Sequence, residues 1–270
     1  MTAGNTINEG VVSHYGAANL AETILAAAAA AGVTKFTPTT LAPIDEFHTG
    51  GAGASRQLAA FAALQPGERV IDLGCGIGGA SRLLAAEFGC DVTGVDLTPD
   101  FIACARALTG KCELSATCRF ELGDATNLPF EAGAFDVAWT QHAVMNIRNR
   151  QGFANEAFRV LRPGGRFAFF DLLLSDNPRP LDFPLPWART PDISFVHTSA
   201  ETREFFTNAG FEEAAWAEVP FPQAPPPANV GGFGLGIIMG DDFGERIRNV
   251  SRCIQDGRLI IVRGLFAKPA

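Results

Sequence analysis

The chain has 270 residues, 47% of them hydrophobic, which is enough to fill one large core and carry an appended cap. A net charge of −8 leaves no basic surface of the size that a phosphate backbone needs, which argues against a DNA or RNA partner. Six cysteines have neither C-x-x-C nor zinc-ligand spacing, so neither a disulfide nor a metal is expected.

In chain order, Leu20 to Val33 is apolar and includes six consecutive alanines, but Glu22 interrupts it and no Lys or Arg precedes Lys35. This reads as neither signal peptide nor membrane span, and a cytoplasmic protein is expected. Asn19 with Glu22 three positions later has capping-box logic, the alanines propagate a helix, and Gly32 is its stop. A Thr/Pro-rich link then leads through Asp45-Glu46-Phe47-His48-Thr49-Gly50-Gly51 into a helix from Ala54 to Leu64, ended by Gln65-Pro66-Gly67. Residues 1–64 are therefore expected to form a helical cap and 65–270 the principal domain.

From 65 onward strands and helices alternate. Strands are predicted at 69–73, 91–95, 118–122, 135–139 and 166–174, with helices at 80–88, 98–109 and 150–161, the pattern of an α/β doubly wound parallel sheet. Five prolines between Asp176 and Pro191 break helix and central strand alike and predict an ordered loop over the carboxyl edge of the sheet. A helix at 199–209, a strand at 211–219, a second proline cluster at 220–227, a glycine-interrupted helical stretch at 230–256 and a strand at 258–267 complete the chain. The two insertions, 176–198 and 220–256, are expected to form a pocket for a small-molecule partner.

The most informative stretch is Val70-Ile71-Asp72-Leu73-Gly74-Cys75-Gly76-Ile77-Gly78-Gly79, a buried strand ending in a glycine-paved turn that opens a helix. Glycines at 74, 76, 78 and 79 let the backbone take positive φ and approach a ligand, while the helix N-terminus points free N–H groups at the same place. The pattern G-x-G-x-x-G alone does not choose between a nicotinamide cofactor and S-adenosylmethionine. Two acids bear on the choice. Asp72, at the strand end, would repel a pyrophosphate but suits the ammonium of a methionine moiety, and Asp96 ends the next strand at the offset where an acid meets a ribose diol.

With these residues the chain resembles the class I S-adenosylmethionine-dependent methyltransferases. The resemblance extends through Gly123-Asp124-Ala125, Leu128-Pro129-Phe130, Phe135-Asp136-Val137-Ala138-Trp139 and Leu161-Arg162-Pro163-Gly164-Gly165, and covers residues 65–172. Within that superfamily it is most similar to the small-molecule branch of ubiquinone/menaquinone-biosynthesis, tocopherol and sarcosine/dimethylglycine methyltransferases. It implies a Rossmann-like seven-stranded sheet whose last strand is antiparallel. It also implies cofactor contacts from Asp72, Gly74, Gly76, Gly78, Asp96, Leu97, Asp124 and Ala125, with Gln141 near the methionine. Thr49-Gly50-Gly51 resembles the loop that closes over the methionine carboxylate in such enzymes.

Methyl transfer needs an aligned acceptor, a dry site and management of one proton. His142, after the fourth strand, is the expected base, since an imidazole titrates near pH ~6.5. Tyr15 and His48 in the cap, with Trp187, Phe195 and His197 in the proline-rich loop, are expected to wall the acceptor pocket. The net acidity and the aromatic loop point to a small amine as acceptor, with a quinol or phenol as the alternative. Two other classes stay open: an NAD(P)-dependent oxidoreductase, through the glycine pattern, and a cofactor-binding regulator without a usable pocket.

Overall fold

The structure, a computed structural model, describes residues 3–15, 19–177, 179–221 and 233–270. Its centre is a seven-stranded sheet of β1 (Arg69–Leu73), β2 (Asp91–Asp96), β3 (Cys118–Leu122), β4 (Phe135–Gln141), β5 (Leu161–Leu174), β6 (Glu212–Val219) and β7 (Leu259–Ala267), in the order β3-β2-β1-β4-β5-β7-β6. The first five strands pair in parallel, and β7 runs antiparallel to both of its neighbours. The sheet is thus the one the resemblance implies. β5 starts five residues earlier than predicted, because Leu161 pairs with Phe135 ahead of a register shift in β4.

Alternation along the strands sends successive side chains to opposite faces. Val70, Val137 and Phe170 pack against α4 (Gly51–Phe61), α5 (Gly79–Phe88) and α6 (Pro99–Lys111), while Ile71, Ala138 and Phe169 pack against α7 (Arg150–Val160) and α8 (Ser199–Asn208). Three more helices precede the sheet: α1 (Ala3–Tyr15), α2 (Leu20–Ala30) and α3 (Pro38–Asp45). Leu20, Ile24 and Ala28 of α2 and Leu41 and Ile44 of α3 form a third apolar cluster with Ile77, Phe101 and Leu108. Between β6 and β7, the described part of the second insertion holds α9 (Gly236–Met239) and α10 (Phe243–Gln255).

Several local expectations are corrected. Asn19 sits at φ +60, in the left-handed region instead of the extended conformation of a capping residue, and makes no side-chain cap, so the Asn19–Glu22 box does not form. Gly32 does end the region with φ +75. The Thr/Pro-rich link contains α3, started by a Thr37–Thr40 capping box with Pro38 in its first turn, where a missing N–H goes unnoticed. α4 starts at Gly51 instead of Ala54 and ends at Phe61, because Gly50 at φ +83 opens it and Ala63 at φ +50 follows its end.

Candidate active site

The chain order β1-β2-β3 runs one way from the sheet centre and β4-β5 the other, so a crevice opens where the carboxyl ends of β1 and β4 diverge. A cavity of about 1740 Å³ fills that crevice. Gly74 and Gly76 line it with φ of +79 and +55, and a Cβ on Gly74 would stand 2.3 Å from that of Ala143. No other residue could hold this approach. Gly78, at φ +84, is the N-cap of α5.

Three carboxylates follow the glycines along the wall. Asp96 accepts the Gly76 N–H at 2.9 Å and the Thr98 N–H at 2.9 Å, fastening the glycine turn to the end of β2. Asp72 accepts the Ser81 hydroxyl at 2.5 Å and is otherwise desolvated, which pushes its carboxyl up to about 7. Asp124 holds its own turn through Thr126, N–H at 2.8 Å and hydroxyl at 2.7 Å, and its second oxygen takes the Asn8 amide of α1 at 3.1 Å. Leu97, Ala125, Thr49, Gly50 and Gly51 lie on the same wall, so the expected cofactor set is gathered in one cavity except for Gly78, which does not line it and faces Phe120 and Arg82.

Gln141 closes this half. The Trp139 indole N–H, which can only donate, meets Gln141 Oε1 at 3.2 Å, so the amide orientation is fixed and Nε2 is the buried donor left without a partner. A buried N–H₂ at a cavity wall calls for an anionic or carbonyl oxygen. Beside it, Ser55 Oγ lies 3.1 Å from Gln141 Oε1, 3.1 Å from His48 Nε2 and 3.3 Å from Glu46 Oε2, and His48 Nε2 meets Glu46 Oε2 at 2.7 Å. His142 lines the cavity at φ +48 with its ring stacked on Phe170. Burial and the neighbouring His48 hold its imidazole well below the usual value, and Nε2 is sealed in without a partner.

Residues 71–169 match the methyltransferase domain family. The 2-methyl-6-phytyl-1,4-hydroquinone methyltransferase of Synechocystis sp. is 40% identical over 121 residues, which are 44% of this chain and 37% of that protein. The Haemonchus contortus phosphoethanolamine N-methyltransferase 2, solved with S-adenosyl-L-methionine, superposes with a TM-score of 0.67 at 20% identity, over 88% of this chain and 58% of that one. The [4+2]-cyclase SpnF superposes with a TM-score of 0.63 at 19% identity, covering 80% of each chain. The chain spans less than half the length of the curated relatives it matches.

Away from the glycine turn much of the cavity wall is apolar, with Asn146, Arg148, Asn149, Ser251 and Gln255 as its polar members. Met145, Leu172, Trp187, Met239, Phe243 and Ile254 contribute to it, so the proline-rich loop and α10 both reach the site. Trp187 is buried and donates its indole N–H to Ser194 at 2.9 Å. Phe195 and His197 are corrections: neither lines the cavity. The His197 carbonyl accepts the Leu174 N–H at 2.9 Å and the Phe195 N–H donates to Met145 at 2.7 Å, which lays this segment along the sheet edge, with the His197 ring against Phe205 and Glu201. Arg189 pairs with Asp242. Tyr15 ends α1, and its side chain lies outside the described residues. Sequence reading missed Glu46, Ser55 and Asn8, since single polar residues in a cap carry no pattern of their own.

Proposed function

We propose that the chain transfers a methyl group from S-adenosylmethionine to a small acceptor with an apolar body. The observation that carries this reading is the division of one cavity into two halves. Asp72, Asp96 and Asp124 flank the glycine turn, whereas the half lined by β5, the proline-rich loop and α10 has no charged side chain among its described lining residues. At about 1740 Å³ the cavity exceeds the roughly 300–1,000 Å³ of a single-ligand pocket. It has room for two molecules side by side.

The residues present fit this cofactor. Asp72 suits its ammonium, the Gln141 amide its carboxylate, Asp96 its ribose, and Asp124 with the Ala125 N–H its adenine. When bound, it supplies an electrophilic sulfonium methyl, so the chain needs neither metal nor covalent nucleophile. The chain's own work is to orient, exclude water and receive a proton. An ammonium acceptor would lose its hydration in the apolar half with no carboxylate to replace it, so the wall favours a phenol or quinol over a small amine. No described helix is long and apolar enough to cross a membrane. Action in the cytoplasm is part of the same proposal.

The test is methyl-labelled S-adenosylmethionine offered with two acceptor sets, alkylphenols and hydroquinones against ethanolamine and dimethylglycine. Label should move to the first set. Transfer confined to the amines contradicts the apolar-acceptor reading.

A further inference from the structure

This inference rests on the methyl-transfer reading and concerns where the acceptor's proton goes. His142 is poorly built to take it, because its imidazole is held neutral and Nε2 is walled off. A different pair stands on the same wall. His48 lies between α3 and α4 with its side chain only 6% exposed, its Nε2 is 2.7 Å from Glu46 Oε2, and its ring is 6.1 Å from that of His142 and edge-on to Phe170. Both residues line the cavity, and the carboxylate is itself buried.

We propose that Glu46 and His48 form the general base of the reaction, and that the acceptor offers them a phenolic or hydroquinone hydroxyl. Glu46 engages Nε2, which leaves Nδ1 as the atom for the acceptor; among the described residues Nδ1 meets the Thr49 carbonyl at a weak 3.4 Å. A carboxylate behind an imidazole fixes the tautomer and steadies the imidazolium that forms. The balance closes. The acceptor oxygen forms its bond to the methyl carbon as the carbon–sulfur bond breaks, that electron pair stays on sulfur, and the hydroxyl proton moves to Nδ1. The positive charge that leaves the sulfonium reappears on His48 and is met by Glu46. A phenol, with a pKa near ~10, is within reach of an imidazole, and an aliphatic alcohol is not. Ser55 and the Gln141 carbonyl oxygen hold the pair in place from α4 and β4. Other charges act on it too. Asp72 and His142 interact with His48, and Asp45, Asp72 and Arg56 with Glu46.

Three readouts test the proposal on the full chain. Calorimetry with S-adenosylhomocysteine should give His48→Gln and Glu46→Gln an affinity within about threefold of wild type, while kcat on hydroquinones falls about 10²–10⁴-fold in His48→Gln. The acid limb of the kcat–pH profile should move to lower pH in Glu46→Gln, because the imidazolium loses its counter-charge. Nitrogen-15 NMR of the histidine rings should show the same downward move of the His48 midpoint, without any turnover. Near-normal kcat in His48→Gln, identical His48 titration in both proteins, or no transfer to any phenol by a protein that binds S-adenosylmethionine would each overturn the proposal. A wild-type protein that does not bind S-adenosylmethionine removes the methyl-transfer reading beneath it.

Discussion

Asp72 joins fold and function in one residue. It is a fully buried acid held by a single serine, and desolvation raises its carboxyl to about 7. A raised acid contributes stability below its unfolded pKa near 4 and loses it as pH climbs through the folded value, so the window runs from about pH 4 to pH 7. Asp72→Asn keeps the hydrogen bond to Ser81 without the charge. Denaturant titrations at pH 5 and pH 8 should therefore show wild type losing stability relative to Asp72→Asn as pH rises, by an amount on the order of 2–4 kcal/mol. Equal differences at both pH values would mean that Asp72 is not titrating in this range. The same substitution should weaken cofactor binding, since the uncompensated charge is what a bound ammonium would neutralise. At this scale the sequence carried a great deal. Asp72, Asp96 and Asp124 were readable because each ends a strand or turn at a fixed offset from the glycines. Glu46 was not, because a carboxylate two residues from a histidine has meaning only once the chain folds the pair against Ser55 and Gln141.

At the scale of elements, polar contacts add to the apolar cluster that holds the cap against the core. Asp45 at the end of α3 and Arg82 in α5 form an ion pair of 2.8 Å, both side chains essentially unexposed, and Arg82 also donates to Thr109 of α6 at 3.1 Å. Removing one partner leaves the other charge buried, so Asp45→Ala should destabilise by roughly 3–5 kcal/mol in urea. A change under about 1 kcal/mol would show that the cap does not depend on the pair. α1 closes the other side. Asn8 bonds Asp124, and the His14 ring lies 3.2 Å from the Pro186 carbonyl, which joins α1 to a carboxylate of the cavity wall and to the proline-rich loop. Asn8→Ala is expected to speed dissociation of S-adenosylhomocysteine several-fold in stopped-flow measurements, and deletion of residues 1–18 to speed it further while the far-ultraviolet circular dichroism of the sheet persists. An unchanged off-rate in both would reduce α1 to surface packing.

The strands were legible at this scale because β-branched runs bounded by glycine and proline repeat throughout the core. α3 was not, since its prolines read as breakers although one of them only fills the first turn. The segment around Phe195 and His197 was misread for a related reason. Aromatic residues in a loop suggest a pocket wall, but the backbone bonds from the Leu174 N–H to His197 and from the Phe195 N–H to Met145 decide where the loop lies, and those are invisible in sequence.

At the scale of the whole molecule, the sheet brings the glycine turn and its acids to one edge, and the two insertions with the cap supply the rest of the cavity wall. The glycine turn and the three acids come from β1, β2 and the turn after β3, whereas the apolar half is assembled from α10, the proline-rich loop and β5. The fold alone does not fix the reaction, as a superposable cyclase illustrates. The central claim is therefore about what the acidic half holds. Calorimetric titration of the purified chain with S-adenosylmethionine and with NAD, at pH 7 in buffers of different ionisation enthalpy, tests it most directly. The account predicts one molecule of S-adenosylmethionine bound per chain, with part of a proton released as Asp72 ionises against the incoming ammonium, and no measurable heat from NAD. Binding of NAD tighter than S-adenosylmethionine would contradict it.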